Sequence, residues 1–199
     1  MVVGLALLPL LALAVRAWPV FFGTSRALGA NPIRALEEST GQWALRFVAL
    51  TLTVTPLRAL TGAGWLARQR RTLGLVAFGY ATVHLTVYAV LDMELDLGDV
   101  VRDVVKHPYV TAGMLAWLML VPLAVTSTRA MIRRLGGRRW NRLHRLTYAA
   151  AVVGTVHFWW SVKKDVTEPA IYGLVFALLL GWRAVRAARS GRRVLQSGP

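Results

Sequence analysis

TLGLVAFGYATVHLTVYAVL, from Thr72 to Leu91, runs for 20 residues without a formal charge and carries one imidazole, His84, beyond its midpoint. A stretch this long and apolar crosses a hydrocarbon core of about 30 Å as a helix. Lipid gives the backbone no water to bond, so the helix is obligatory. A titratable ring inside such a span costs free energy unless it has a partner, which marks it as a candidate site. The same reading applies to LTYAAAVVGTVHFWWS, from Leu146 to Ser161, with His157 inside it.

Working outward, four more segments are apolar enough to span: Val2 to Phe22, Gln42 to Leu60, Tyr109 to Ser127, and Pro169 to Val185. The expected fold is an all-α polytopic membrane bundle of about six transmembrane helices. Val2 to Phe22 is interrupted by Pro9 and Arg16, and its opening resembles the apolar region of a signal peptide. No Lys or Arg precedes it, so we read it as a retained helix. No internal repeat or separate soluble domain breaks the chain, which reads as a single integral membrane domain over 1–199.

Charge sets the orientation. The chain is 56% hydrophobic yet carries a formal charge of +15. Arg58, Arg68, Arg70 and Arg71 follow the second span; Arg129, Arg133, Arg134, Arg138, Arg139, Arg142 and Arg145 follow the fourth; Arg183, Arg186, Arg189, Arg192 and Arg193 follow the sixth. These regions are expected in the cytoplasm, with both termini. Asp92, Glu94, Asp96, Asp99 and Asp103 crowd one opposite loop, and Asp165 and Glu168 balance Lys163 and Lys164 in another. Arginines placed between apolar segments are topology signals, which argues against nucleic acid as a partner. Cysteine is absent, so disulfides, thiolate nucleophiles, cysteine-ligated iron–sulfur clusters and covalent C-x-x-C-H haem attachment are excluded. No phosphate-cradling glycine loop or paired intramembrane carboxylate appears.

His84 lies 12 residues past Thr72 and His157 lies 13 past His144 at the mouth of the fifth span. Both are therefore roughly 18–20 Å from the cytoplasmic side. Two imidazoles at matched depth suit bis-histidine ligation of a haem between helices. Gly154 and Ala81, each one turn before a histidine, are expected to leave room for a porphyrin face. Hydrogen bonding across the bundle, a proton relay and another metal are open alternatives. His144 sits in RRWNRLHRLTY, from Arg138 to Tyr148, where an imidazole is not costly. On a straight helix it is about 140° from His157, while Arg70 is about 40° off the face of His84 at the level of His144. Arg70 is a candidate partner for His144 or for haem propionates, or a topology signal alone. His107, before Pro108, reads as solvated. Trp159 and Trp160 read as interfacial anchors or as cofactor contacts.

NPIRALEESTGQWALRF from Asn31, TPLR from Thr55, RRTLGLVAFGYATVHLTVY from Arg70, HPYVTAGMLAWLMLVPLAVTST from His107, RRWNRLHRLTYAAAVVGTVHFWWSVK from Arg138 and EPAIYG from Glu168 occur in this order. Together they resemble the MsrQ (YedZ) family of haem-binding membrane subunits, a group of the ferric-reductase-like transmembrane family. The resemblance covers about Asn31 to Arg183, with the transmembrane domain at about 42–185. It implies a bacterial inner-membrane haem b subunit. Electrons would come from the quinone pool or a cytoplasmic flavin reductase and pass to a periplasmic molybdopterin enzyme, MsrP, that reduces methionine sulfoxide in oxidised proteins. It also implies FMN as a cofactor. By position it makes His84 and His157 the main haem ligands and His144, with Arg70 opposite, a candidate second site. The wider family has two histidines on the equivalent of the third span, and this chain has only His84 there. A cytochrome b for ferric-chelate reduction or another oxidoreductase, and a non-redox transporter or assembly factor, are the competing readings.

Overall fold

The computed structural model describes residues 2–23 and 26–196. Both chain ends, and the side chains from 190 onward with Arg192 and Arg193 among them, lie outside the described residues. Nine α-helices and no strand occur among the described residues. They are α1 (Val2–Phe21), α2 (Pro32–Thr61), α3 (Leu66–Val87), α4 (Leu97–Lys106), α5 (Pro108–Val125), α6 (Arg129–Leu135), α7 (Gly137–Leu143), α8 (Leu146–Ser161) and α9 (Thr167–Gln196). A π-helical turn, Tyr88–Asp92, extends α3.

Each expected span falls on a helix. Five helices, counting α3 with its π turn, are long and apolar enough to cross a membrane. The remaining one, α8, has 16 residues, or about 24 Å of rise. Local signals explain where the helices exceed the apolar runs. α2 starts ten residues before Gln42 because the Asn31 side chain accepts from Arg34 N at 3.0 Å and Pro32 opens the first turn. It stops at Gly62, whose φ of 70° closes the helix with an N–H bond to Arg58 O. The helices outside the spans are short and polar-faced: α4 between α3 and α5, and α6 with α7 between α5 and α8.

α2 packs along α3 and α5 along α8, α9 lies against α8 and α2, and α1 rests on the flank of α2 and α3. The contacts are made by small residues: Ala44, Ala77, Ala150 and Ala151 are buried, with Phe47, Leu52, Tyr80 and Phe176 filling the space between five helices. Lipid tails are as apolar as leucine, so close approach of backbones, and not leucine burial, holds such a bundle. Many leucines accordingly face outward, as Leu11, Leu118, Leu174 and Leu178 do, while Leu52 and Leu120 are among the few that pack inside. Thr40, Thr51, Thr53, Thr82 and Thr155 each return their hydroxyl to the carbonyl four residues earlier, leaving no bare donor in the apolar interior.

The nine carboxylates of the chain all sit at one end. Glu37 and Glu38 lie near the start of α2, five acids surround the π turn and α4, and Asp165 and Glu168 join α8 to α9. Gln42 bonds Glu168 and Tyr88 Oη donates to Asp103 at 2.7 Å, tying these segments together. The opposite end carries the α2–α3 turn, α6 and α7, all rich in arginine. Between the π turn and α4 the chain reverses through Glu94 (φ 48°) and Leu95 (φ 63°), two non-glycine residues in the left-handed region. That conformation costs of order 1–2 kcal/mol per residue, and it turns the polar side of α4, with Asp103, toward Tyr88 and His107.

Candidate functional site

His84 on α3 and His157 on α8 meet near the acidic end, with ring centres 6.0 Å apart and planes at 70°. Each ring is aimed by a carbonyl from a neighbouring helix. His84 Nδ1 donates to Glu37 O at 3.0 Å, with Thr40 Oγ1 at 3.4 Å. His157 Nδ1 donates to Tyr109 O, in the first turn of α5, at 2.6 Å. With Nδ1 bound in this way, the lone pair of each ring is left on Nε2, which is how ligand histidines are usually held.

Two glycines make the approach possible. A Cβ on Gly41 would stand 3.2 Å from His84 Cε1, and one on Gly113 would stand 2.8 Å from His157 Cε1 and Nδ1. A glycine inside a helix costs about 1 kcal/mol relative to alanine. Here it is offset by close contact between a backbone and an imidazole. The small residues expected at this place behave otherwise: Gly154 faces Leu45, and Ala81 packs into the apolar clusters. The sequence shows a glycine at 41 and at 113, but nothing in it says which helix crosses there.

The donor set is two imidazoles. Among the described residues no group of three His, Cys, Asp or Glu side chains is placed to hold a metal ion. A bare transition metal would lack ligands, whereas a haem iron takes its equatorial ligands from the macrocycle. Metal–imidazole bonds of about 2 Å on each side place two ring centres roughly 6 Å apart, and the observed 6.0 Å fits that separation.

Above the pair, the Tyr109 ring lies 6.4 Å from His157 and 5.7 Å from His107. His107 is exposed, as expected, but not free: its Nδ1 meets Asp103 at 2.6 Å. Glu37 brings a second feature the sequence reading missed, since its Oε1 is buried without a hydrogen-bond partner among the described residues. Trp159 and Trp160 are exposed at the acidic end of α8, the position of an interfacial anchor.

His144 lies elsewhere, at the basic end. It follows α7 and precedes α8, so the helix is interrupted beside it and the straight-helix angle of 140° to His157 does not apply. Its ring stacks on Trp140 at 3.7 Å. Thr126 Oγ1 gives its proton to Pro122 O and stands 3.1 Å from His144 Nε2, which makes the imidazole the donor. Burial first, and the charge of Arg70 second, hold the His144 pKa below its ordinary value. The charge of Arg70 is thus felt at His144, and both residues belong to the basic end and not to the His84–His157 pair.

Fold and site together define a multi-pass helical membrane protein built around an intramembrane pair of histidines. The model of the ferric reductase like transmembrane component family matches residues 40–155, a stretch that holds His84 and His144 and ends two residues before His157. A protein of Xanthomonas oryzae pv. oryzae is 50% identical over 90% of this chain and 82% of its own length. One of Xanthomonas campestris pv. campestris is 51% identical over 89% and 81%, and one of Ralstonia nicotianae 47% identical over 94% and 86%. All three are named protein-methionine-sulfoxide reductase heme-binding subunit MsrQ. No solved structure matches the chain. The chain belongs to the ferric-reductase-like transmembrane family and, within it, to the MsrQ family.

Proposed function

We propose that this protein is a haem b electron-transfer subunit of the bacterial inner membrane that serves a periplasmic methionine sulfoxide reductase. His84 and His157 would hold the haem iron through Nε2. The observation that carries the reading is the paired restraint of the two rings, each with Nδ1 bonded to a carbonyl of the facing helix and each pressed on a glycine. A bound haem supplies one-electron chemistry, and the protein sets its potential through imidazole ligation and a low-dielectric surround. Glu37 O and Tyr109 O fix the tautomer, Gly41 and Gly113 set the distance to the backbone, and α5 with the Tyr109 ring shields the pair from the acidic face.

The positive-inside distribution supports six spans with both termini in the cytoplasm, which puts the acidic end and the histidine pair on the periplasmic side. On this reading the whole chain is one membrane domain, and bond-making belongs to the partner, a molybdopterin reductase of the MsrP kind. Quinol or a cytoplasmic flavin reductase is the proposed donor. FMN, and a second haem on His144 opposite Arg70, extend the same reading. The engagement of His144 Nε2 by Thr126 favours a single principal haem at the outer pair.

The test is spectroscopic. Purified protein should show a Soret band when oxidised and a sharp α-band when reduced by quinol, and a purified periplasmic reductase should reoxidise the haem on addition of methionine sulfoxide. A preparation without either band when haem is supplied would overturn the proposal.

A further inference from the structure

A groove of about 590 Å³ runs between α1 and α3 and opens on the flank of the bundle; neither His84 nor His157 lines it. Its walls are apolar, with Leu7 and Leu10 on one side and Val76 and Val83 on the other. Tyr80 forms the floor, fixed by donation from its hydroxyl to Ala6 O at 2.8 Å. A Cβ on Gly79 would meet nothing within 4 Å, so the groove stays open there. Arg68 and Arg71 line the same groove. They lie three residues apart on one face of α3, at its basic end.

Neither guanidinium is ion-paired or hydrogen-bonded through its side chain among the described residues. Among the described residues no side-chain counter-ion is at hand, because every Asp and Glu belongs to the other end of the bundle. Both helices are long and apolar enough to cross a membrane, so in a bilayer the groove would face acyl chains, with its arginines at the end toward the headgroups. Volumes of this size accommodate small amphiphiles, and basic pockets between spans are matched in charge by anionic headgroups.

We propose that this groove is a binding site for one anionic phospholipid. The phosphate is held between Arg68 and Arg71, and an acyl chain lies along Leu10 and Val76 toward Gly79. The site is independent of the histidine pair.

Native mass spectrometry of the full chain, equilibrated in micelles with phosphatidylglycerol and phosphatidylcholine, tests it. One phosphatidylglycerol should be retained in preference to phosphatidylcholine. The double variant Arg68→Gln/Arg71→Gln should lower that retention roughly tenfold, while Arg68→Lys/Arg71→Lys keeps most of it. Gly79→Leu, which fills the open space and leaves the charges in place, should reduce retention of both lipids. Equal retention of the two lipids by the native chain overturns the proposal, as does phosphatidylglycerol binding unchanged in both the glutamine and the leucine variants. A co-purifying quinone displaced by Gly79→Leu, with phosphatidylglycerol undisturbed, would assign the groove to a neutral ligand instead.

Discussion

The two histidine regions of this bundle are built on opposite principles. At the acidic end His84 and His157 commit Nδ1 to carbonyls of other helices and keep the lone pair on Nε2. At the basic end His144 commits Nε2 to Thr126 and lays its ring on Trp140 at 3.7 Å. All three rings are partly covered by the fold. The difference lies in which nitrogen is spent. On this geometry a ligand role for His144 requires that its contact with Thr126 be broken first.

The comparison can be broken most directly by deletion. His84→Ala and His157→Ala are each expected to abolish the principal haem, read as loss of the Soret and reduced α-bands in purified protein. His144→Ala should leave those bands in place and cost about 0.5–1.5 kcal/mol of stability through the lost stacking on Trp140. If the α-band amplitude halves in His144→Ala, the basic end holds a haem of its own.

A finer test concerns the glycines. Gly113→Ala places a methyl 2.8 Å from His157, and the ring can yield only by giving up its bond to Tyr109 O. Haem affinity should fall roughly tenfold, the usual scale for losing an outer-shell restraint. Gly41→Ala meets His84 at 3.2 Å, a contact that a shift of tenths of an ångström relieves, so a smaller loss than for Gly113→Ala is expected. Haem titration of apo-protein distinguishes the two. Equal losses would show that the rings are not seated on their facing helices as described.

Much of this was legible in the chain because membrane helices announce themselves by length and hydropathy, and arginine marks the connectors. His84 and His157 stood out for the same reason, as polar rings in apolar runs. α4, α6 and α7 did not: each is short, and its charged residues read as loop. The glycines were hidden for another reason. The chain has 17 of them, and only the crossing of α2 with α3 and of α5 with α8 selects Gly41 and Gly113. The choice of Gly154 and Ala81 used spacing along one helix, and spacing cannot say that Leu45 fills the facing position. Thr126 was equally unreadable, since its role depends on α5 ending beside α7.

The smallest effect belongs to pH at the basic end. Burial, and then the Arg70 charge, depress the His144 pKa in the folded protein, below the ordinary imidazole value of about 6.5. The unfolded chain then takes up the proton first. Stability contributed by the neutral ring is complete above that ordinary value and declines as the pH falls below it. Thermal unfolding followed from about pH 8 to about pH 5 should therefore show an acid-side fall in midpoint that His144→Gln reduces. Arg70→Gln removes only the second of the two causes, so it should recover a smaller part of the fall. An acid limb identical in the native chain and in Arg70→Gln would mean that Arg70 does not act on His144, and the pairing of those residues at the basic end would lose its electrostatic basis.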